Sequence, residues 1–322
     1  MSLRSNEQTK VVAVTGASGY VGSCLLGELE EHEELDRVVA LDIVPLRNPV
    51  HNVAFYRRDT VQPLGELFRD HRVDTVVHLA FVMKPGRNPE ESQAAQRVNL
   101  GGLDNVLRAC RNARVKHLTY LSSHTVYGAH RDNRVPITEE TPLRPNRGFQ
   151  YGEYKAQCEE MIRRFSHSYR NTRITILRSC VVMGPAADNF VSQALFKPFL
   201  VRVFRNDPPM QFVHENDVAR LIAQMVMEPH PGVYNVAGER VVHYSRLGRM
   251  AHRRIFVLPS VLAYPLTQLS WQLGVQKDSP AVGLDFIRYP IIVSTGKLKG
   301  VTGFRFRYTS EEALVAFTAN LD

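Results

Sequence analysis

The sequence predicts an α/β protein built on a doubly wound parallel sheet, with a smaller C-terminal lobe interleaved with it. Short apolar runs with the composition of buried strands alternate with amphipathic helical stretches in the first half of the chain. The first of these strands leads into a helix through a glycine-rich turn. With 322 residues, 44% of them hydrophobic, the chain is long enough to bury one large core or two modest ones.

The predicted strands and helices follow one another in a regular order. Strands are expected at residues 11–15, 37–42, 75–79, 117–122 and 174–178, and helices at 22–32, 64–71, 94–113 and 151–169. Because helices separate the strands, neighbouring strands are expected to run parallel. After residue 178 the alternation weakens and prolines become frequent, and short strands are expected at 211–214 and 233–236.

The composition argues against several classes of function. The net charge of +8 comes from 40 basic and 32 acidic residues spread along the chain, so a solvated surface is favoured and no nucleic acid partner is expected. The four cysteines show no disulfide or zinc spacing, which predicts no metal site and a reducing, cytoplasmic location. Pro259 and Pro265 interrupt the apolar stretch 255–275, so we expect no membrane span, although an interfacial segment stays open.

The turn after the first strand has the pattern of a phosphate-binding site. Residues 15–22 read Thr-Gly-Ala-Ser-Gly-Tyr-Val-Gly, so glycines recur at every third position. Glycines permit a tight turn and the close approach of a pyrophosphate to the backbone, and the helix N-terminus adds free N–H groups and partial positive charge. We therefore predict a dinucleotide site formed by Gly16, Ser18, Gly19, Tyr20, Val21 and Gly22.

Asp42 indicates which dinucleotide is bound. It ends the second predicted strand, 20 residues after Gly22, which is the separation expected for a carboxylate that hydrogen-bonds an adenosine ribose. A carboxylate at this position repels a 2′-phosphate and so favours NAD over NADP. Arg47, and Arg57 and Arg58 beyond it, keep NADP open, because a nearby guanidinium accommodates that phosphate.

Tyr151 and Lys155 form a candidate catalytic pair. Their spacing in a helix-forming stretch places both side chains on one face of the helix. An ammonium beside a phenol, together with the charge of an oxidised nicotinamide, favours the phenolate. This is expected to lower the pKa of the tyrosine from about 10 toward the working pH, as a general acid and base requires.

A serine at the end of a neighbouring strand completes this candidate site. Residues 121–128 read Leu-Ser-Ser-His-Thr-Val-Tyr-Gly, with hydroxyls at the carboxyl edge of the predicted sheet, where open α/β sheets bind ligands. Ser123 is our candidate for the hydrogen bond to the substrate oxygen. Ser122 is expected to be structural, although an error of one residue in register exchanges the two.

The two candidate sites divide the chain. We predict a dinucleotide-binding domain at residues 1–177 and a mainly substrate-binding lobe at 178–322, with segments that return to the sheet. The segment 128–149 contains Pro136, Pro142 and Pro145 and is predicted to be a loop. It lies between the candidate catalytic elements, where it can cover a substrate.

These motifs resemble those of the extended short-chain dehydrogenases, and in particular the NAD-dependent epimerase/dehydratase family that includes UDP-glucose 4-epimerase. The resemblance spans nearly the whole chain, from the glycine turn through the serine and the tyrosine–lysine pair to the motif at 217–219. It implies a Rossmann fold with NAD as the cofactor. It also implies that Tyr151 is the acid and base, that Lys155 lowers its pKa and holds the nicotinamide ribose, and that Ser123 orients the substrate oxygen.

The resemblance also implies further contacts with the cofactor. Asp59 and Thr60 stand where the family contacts adenine, and Leu79 and Ala80 stand on the loop under the cofactor. Asn99 stands where the family supports the active-site helix or a proton relay. A buried amide that satisfies a bend is the alternative interpretation of Asn99.

Absences limit the reaction that the resemblance implies. Dehydratases of the family carry an Asp-Glu pair directly after the catalytic hydroxyl residue, whereas this chain has His124 and Thr125. Dehydration is therefore disfavoured. Hydride transfer at a secondary alcohol or ketone carbon remains, either as net oxidoreduction or as an epimerisation in which the hydride returns to the other face.

The sequence favours a nucleotide sugar as the substrate and keeps a lipophilic alcohol as the alternative. Asn189 stands where UDP-sugar enzymes of the family place an asparagine near the pyrophosphate, which favours a nucleotide sugar, while Val181 and Met210 replace two of their substrate-contacting residues. The apolar stretch 255–273 is compatible with a pocket for a hydroxysteroid-like, terpenoid or aromatic alcohol, although a helix packed against the sheet or a dimer partner is the favoured interpretation of it. A scaffold that senses NAD is a third interpretation. A homodimer is expected, because two-fold pairing is common among relatives.

Overall fold

The centre of the molecule is a seven-stranded parallel sheet. The computed structural model describes residues 10–48, 50–84, 86–276 and 278–319. The strands of the sheet are β1 Lys10–Thr15, β2 Leu35–Asp42, β3 Val53–Arg57, β4 Thr75–His78, β5 His117–Ser123, β6 Arg173–Ser179 and β11 Gly232–Val236. They lie in the order β11-β6-β5-β4-β1-β2-β3, and each neighbouring pair is parallel. From β1 the chain adds β2 and β3 toward one edge of the sheet, and from β4 it adds β5, β6 and β11 toward the other. This order confirms the predicted doubly wound fold.

Helices cover both faces of this sheet. They are α1 Tyr20–Glu30, α2 Gly65–Asp70, α3 Pro89–Gln96, α4 Gly102–Ala113, α5 Gln150–Ser168 and α7 Glu215–Met227. The apolar sides of α1 and α7 bury one face, with Leu25, Leu26 and Ile222 in one cluster. The apolar sides of α2, α4 and α5 bury the other, with Phe68 and Leu103 in a second cluster. Burial on both faces is why the central strands are almost continuously apolar.

Short elements form most of the C-terminal part of the chain. They are β7 Val181–Met183, α6 Phe190–Leu195, β8 Phe199–Val203, β9 Pro209–Met210, β10 Phe212–His214, β12 Val242–His243, α8 Tyr244–Met250, β13 Arg254–Leu258, α9 Ser260–Gln272, α10 Gly296–Thr302 and α11 Ser310–Thr318. Three two-stranded sheets join β7 to β10, β8 to β13 and β9 to β12. Strand β11 returns to the main sheet beside β6. The predicted boundary between residues 177 and 178 falls inside β6, and the division into two domains stays a prediction.

The predicted elements are all present with shifted ends, whereas strand β3 and most of the C-terminal elements were not predicted. Strand β3 was not expected, because its residues are half-buried or exposed at the edge of the sheet and give a weak pattern. The helix predicted at 94–113 begins at Pro89 and contains a π turn at Arg97–Gly101. The strand expected at 211–214 is β10, outside the main sheet, whereas that at 233–236 is β11 within it.

The predicted loop 128–149 packs in part against the segment 285–294. Ile137 exchanges backbone hydrogen bonds with Ile292 and Ser294, and Asn146 donates to Asp285 at 3.1 Å. Only its last residue, Phe149, lines the cavity described below. Within the described ranges no helix has the length and apolar character to cross a membrane.

Candidate active site

A cavity of about 770 Å³ lies at the carboxyl edge of the main sheet. Its lining combines the glycine turn after β1, the residues that follow β4 and β5, the first turn of α5, and side chains from the C-terminal elements. Open parallel sheets bind ligands at this edge, beside the point where the strand order reverses. In this sheet that point lies between β1 and β4.

The glycine turn forms a close-fitting cradle. Gly16 has a φ of +73°, and a Cβ there would lie 2.6 Å from the backbone nitrogen of Ala80. A Cβ on Gly22 would lie 2.2 Å from the carbonyl oxygen of Gly16. Helix α1 begins at Tyr20, and its N-cap residue, Gly19, makes no side-chain capping bond. The turn therefore has the backbone geometry and the helix N-terminus that a dinucleotide diphosphate requires.

Asp42 braces this turn from the end of β2. Its Oδ2 accepts from the backbone N–H of Ser18 at 2.9 Å, and its Oδ1 accepts from that of Ile43 at 2.7 Å. The Ser18 hydroxyl donates to the carbonyl of Val44 at 2.8 Å, which adds a second link across the turn. The carboxylate is half-buried at the edge of the sheet, beside the cradle.

Asp59 and Thr60 follow the next strand, β3. The Asp59 carboxylate accepts from the backbone of Val61 at 3.1 Å, and Thr60 is buried against Gly102. The glycine turn, Asp42 and Asp59 thus follow three adjacent strands. Asp42, Asp59 and Thr60 do not line the cavity. They follow β2 and β3, the strands beside β1 at that edge of the sheet.

The loop after β4 closes the other side of the cradle. The Leu79 N–H donates to Thr15 at 3.0 Å, Leu79 lines the cavity, and the backbone of Ala80 abuts Gly16. Asn99, in the π turn, is buried and holds this loop: its Oδ1 accepts from Val82 N at 2.8 Å and its Nδ2 donates to Val82 O at 3.0 Å. This geometry matches the interpretation of Asn99 as a buried amide at a bend.

Tyr151 and Ser123 meet in the cavity. Tyr151 lies in the first turn of α5, and Ser123 ends β5. The Tyr151 ring lies edge-on to three phenylalanine rings, with centroid separations of 5.4 Å to Phe81, 6.2 Å to Phe149 and 5.7 Å to Phe190. This burial raises the pKa of Tyr151 to about 12, and a hydrogen bond with Ser123 acts in the opposite direction.

Lys155 lies one helical turn further along α5 and also lines the cavity. Its ammonium donates to the carbonyl oxygen of Leu121 at 2.7 Å and lies 3.8 Å from the centroid of the Phe81 ring, against 5.9 Å from that of Tyr151. Burial lowers the pKa of Lys155 to about 8. Burial therefore dominates the pKa of Tyr151 in the protein alone, while the expected lowering, which includes the charge of an oxidised nicotinamide, stays a prediction.

Ser122 belongs to a separate buried polar network. Its hydroxyl donates to Glu159 at 2.5 Å, and Glu159 forms a buried bidentate ion pair with Arg178. The register of β5 thus separates the two serines, with Ser123 beside Tyr151 and Ser122 bound into a polar network.

Asn189 caps helix α6 at the rim of the cavity. Its Oδ1 accepts from the N–H groups of Val191 and Ser192, at 2.9 and 3.1 Å, and its Nδ2 donates to Val182 O at 2.7 Å. The side chain lines the cavity while it performs this structural role.

Most of the cavity wall on the C-terminal side is apolar, but of the apolar stretch 255–273, which the sequence offered as a pocket lining, only Thr267 and Ser270 line the cavity. The charged residues in the described lining are Lys155, Lys197 and Asp278, and the last two form an ion pair. Val181 and Met210 both belong to the wall. Apolar lining residues that sequence reasoning missed include Phe81, Phe149, Leu195, Phe199, Leu200, Leu247, Phe286, Ile287 and Ile291. Among the described residues no group of three or more His, Cys, Asp or Glu side chains could hold a metal ion.

Comparisons with known proteins place the chain in a family. The model of the NAD dependent epimerase/dehydratase family matches residues 12–237. An uncharacterized protein of Mycobacterium tuberculosis is 27% identical over 312 residues, covering 94% of this chain and 82% of its own length. The UDP-glucose 4-epimerase of Lactobacillus helveticus is 30% identical over 187 residues, covering 56% of this chain and 54% of the relative.

Solved structures share the fold across almost the full chain. The UDP-glucose 4-epimerase of Thermotoga maritima, crystallised with UDP-glucose, has a TM-score of 0.76 at 20% identity and covers 96% of this chain and 97% of its own. The dTDP-glucose 4,6-dehydratase of Bacillus anthracis, in complex with NAD, has a TM-score of 0.72 at 18% identity and covers 96% of both chains. With the family match spanning well over half of the sequence, the chain belongs to the NAD-dependent epimerase/dehydratase family, and its cofactor is NAD.

Proposed function

We propose that this protein transfers hydride between NAD and a secondary alcohol or ketone carbon, with Tyr151 as the acid and base. The observation that carries this proposal is the convergence of Tyr151, Ser123 and Lys155 in one cavity with the glycine cradle. When bound, NAD supplies the ring carbon that accepts or returns the hydride. Tyr151 takes the hydroxyl proton during oxidation and returns it to the carbonyl oxygen during reduction.

Each neighbouring residue has a role in this proposal. Ser123 hydrogen-bonds the substrate oxygen, and the charge of Lys155 favours the phenolate of Tyr151. The three phenylalanine rings around Tyr151 keep water from the reacting atoms. The cofactor is held by the diphosphate cradle of Gly16, Ser18, Gly19, Tyr20, Val21 and Gly22, by Asp42 at the ribose, by Asp59 and Thr60 at the adenine, and by Leu79, Ala80 and Asn99 beneath it.

For the substrate, the cavity wall supports an alcohol or ketone with a large apolar body. A nucleotide sugar brings a diphosphate whose charge requires cations or many N–H donors. Apart from Lys155, the only cationic side chain in the described lining is Lys197, which is already paired with Asp278. An apolar ligand needs no such partners and gains from the burial of its surface.

A nucleotide sugar is the second candidate, and the relatives favour it. Solved structures of the same fold contain UDP-glucose and, in the protein MoeE5, UDP-glucuronic acid. Asn189 lines the cavity and is our candidate contact for such a substrate. In both cases the reaction is an epimerisation or a net oxidoreduction. Dehydration has less support, because buried His124 and Thr125 follow Ser123.

Substrate panels decide between these candidates. Lipophilic secondary alcohols mixed with the protein and NAD should form NADH, followed by its absorbance, whereas UDP-sugars should give no heat in calorimetry. Binding of a UDP-sugar together with silence across the alcohol panel would reverse this order. Mass spectrometry of the purified protein then separates the reactions, since an epimerase never releases the reduced cofactor and retains NAD tightly.

The variant Tyr151→Phe tests the acid and base directly. It should lower kcat by about 10²- to 10⁴-fold while NAD still binds, because only the phenol oxygen is removed. Tyr154→Phe is the matched control, since its hydroxyl donates to the backbone of Ser92 instead. Full activity in Tyr151→Phe would contradict the proposal. An inactive wild type that still binds NAD would favour the sensing scaffold. A homodimer and a cytoplasmic location stay predictions.

A further inference from the structure

Helix α9 and the strand pair β8–β13 carry an apolar surface that the described part of the fold leaves uncovered. Leu262, Leu266, Leu269 and Leu273 recur at helical spacing and share one side of α9 and its end, with 52–70% of each side chain exposed. Phe199 and Phe256 extend this surface onto the strands, with their ring centroids 5.1 Å apart. We call this surface the α9 face; it also includes Val261 and Val275.

The opposite side of α9 is firmly attached to the protein. Ala263 is fully buried against Val203 and Leu284, and the Tyr264 hydroxyl donates to Asp285 at 2.5 Å. Gln268 accepts from the backbone of Ala281 at 3.0 Å. The fold therefore presents the leucine side of the helix outward in a defined orientation. Exposed apolar patches of this kind mark protein or membrane interaction sites.

The charges around the α9 face select between these partners. No residue from 255 to 276 is charged, yet arginines lie at both ends of the strand pair. Arg254 is opposite Phe199 in the register, and the exposed Arg205 follows β8 next to exposed Phe204. Within the described residues neither arginine forms an ion pair, whereas nearby Asp278 is neutralised by Lys197. An apolar centre with an arginine rim complements an anionic lipid surface.

The cavity reaches the same surface. Phe199 and Val275 belong to both the α9 face and the cavity wall, and Thr267 and Ser270 of α9 line the wall as well. We propose that the α9 face docks the protein on an anionic lipid bilayer, with the cavity opening toward the lipid. At 13 residues, α9 is about 20 Å long and lies in the interface without crossing it. Docking is independent of the proposed function, and only delivery of an apolar alcohol from the bilayer rests on it.

Vesicle binding tests this proposal. Trp271, the single tryptophan of the sequence, lies three residues after Gln268 in α9 and therefore on the attached side of the helix, so its emission does not report on the α9 face. Vesicles of phosphatidylcholine with phosphatidylglycerol should sediment the protein. Vesicles of phosphatidylcholine alone should bind far less. Added salt should weaken binding to the anionic vesicles, because it screens the arginines.

Variants locate the docking surface. Leu266→Gln with Leu269→Gln should weaken binding by about tenfold or more, and Arg205→Gln or Arg254→Gln by about fivefold each. Val301→Gln with Val315→Gln is the matched control, because both valines are similarly exposed on α10 and α11. Tyr151→Phe should bind vesicles like the wild type, which separates failure of docking from failure of catalysis.

Two results would overturn the proposal. One is the absence of any vesicle binding by the wild type at low salt. The other is a dimer that the leucine variants dissociate, without vesicle binding, which would assign the α9 face to a second copy of the chain. Unchanged NAD binding in the leucine variants serves to show that they remain folded.

Discussion

Lys155 is a cation held among aromatic rings. Its pKa of about 8 lies below the value near 10.4 of an unfolded lysine, because burial disfavours the charge. Between these two pH values the unfolded chain binds more protons than the folded chain. The free energy of unfolding therefore rises with pH through this window, and the cost of burying the ammonium is fully present below it.

Replacing Lys155 should show this cost. We expect Lys155→Met to be more stable than the wild type at pH 7 by about 1–2 kcal/mol, since the hydrogen bond to Leu121 and the contact with Phe81 offset only part of the burial cost. The difference in stability should vanish as the pH approaches the pKa of a free lysine. Urea unfolding over a pH series measures it. A less stable variant at pH 7 would show that the two contacts outweigh burial.

Gly16 tests the proposed cofactor cradle at a single backbone position. Gly16→Ala should abolish NAD binding and lower the free energy of unfolding by at least about 1–2 kcal/mol, because a Cβ meets the Ala80 backbone and the left-handed conformation disfavours alanine. Gly27→Ala, on α1, is the control. A Cβ there meets nothing within 4 Å, so about 0.5–1 kcal/mol of stability should be gained. Calorimetry with NAD and thermal unfolding measure the two effects, and unchanged NAD affinity in Gly16→Ala would contradict the cradle.

At the scale of elements, helix α6 depends on its cap. Asn189→Ala should lower the free energy of unfolding by about 1 kcal/mol, because the N–H groups of Val191 and Ser192 lose their acceptor. Asn189→Ser keeps an acceptor and should recover most of this loss. If capping is the whole role of Asn189, KM should not change in the serine variant. A KM that rises in both variants while stability is restored in one would instead identify Asn189 as a substrate contact.

Elements with a strong local pattern were predictable, and those defined by neighbours were not. Strands β1, β4 and β5 are buried along almost all of their length, and their sequence pattern predicts them. Strand β3 is a half-buried edge that gains its identity from pairing with β2. The π turn before α4 places Asn99 against the loop at Val82, and helical periodicity does not predict this contact between residues 17 positions apart in the sequence.

At the scale of the whole molecule, one buried network joins elements from distant parts of the chain. Arg178 on β6 pairs with Glu159 on α5 and donates to the Tyr127 hydroxyl at 2.8 Å, and Tyr127 donates to Asn235 on β11. Because the ion pair is almost fully buried, each charge depends on the other. The network thus couples the main sheet to the returning strand.

Breaking this pair should be costly, and removing both charges should not. Arg178→Met should lower the free energy of unfolding by about 3–5 kcal/mol, because it leaves the Glu159 carboxylate buried without its partner. Adding Glu159→Met should recover most of that loss. Urea unfolding of the three proteins measures the coupling, and equal losses in the single and double variants would show that packing, not charge, dominates.

The sequence by itself determined the fold class, the glycine turn proposed as the cofactor cradle, and the spacing of Tyr151 and Lys155. Each rests on short-range spacing: strand and helix periods, glycines at a turn, and two residues one helical turn apart. Only the tertiary structure decided which serine faces Tyr151, that the Lys155 ammonium is bound to Leu121, and that the cavity wall is apolar. These properties arise where C-terminal segments, as far along the chain as Ile291, pack at the carboxyl edge of the main sheet. Burial and charge pairing at such a place depend on neighbours that local sequence does not specify.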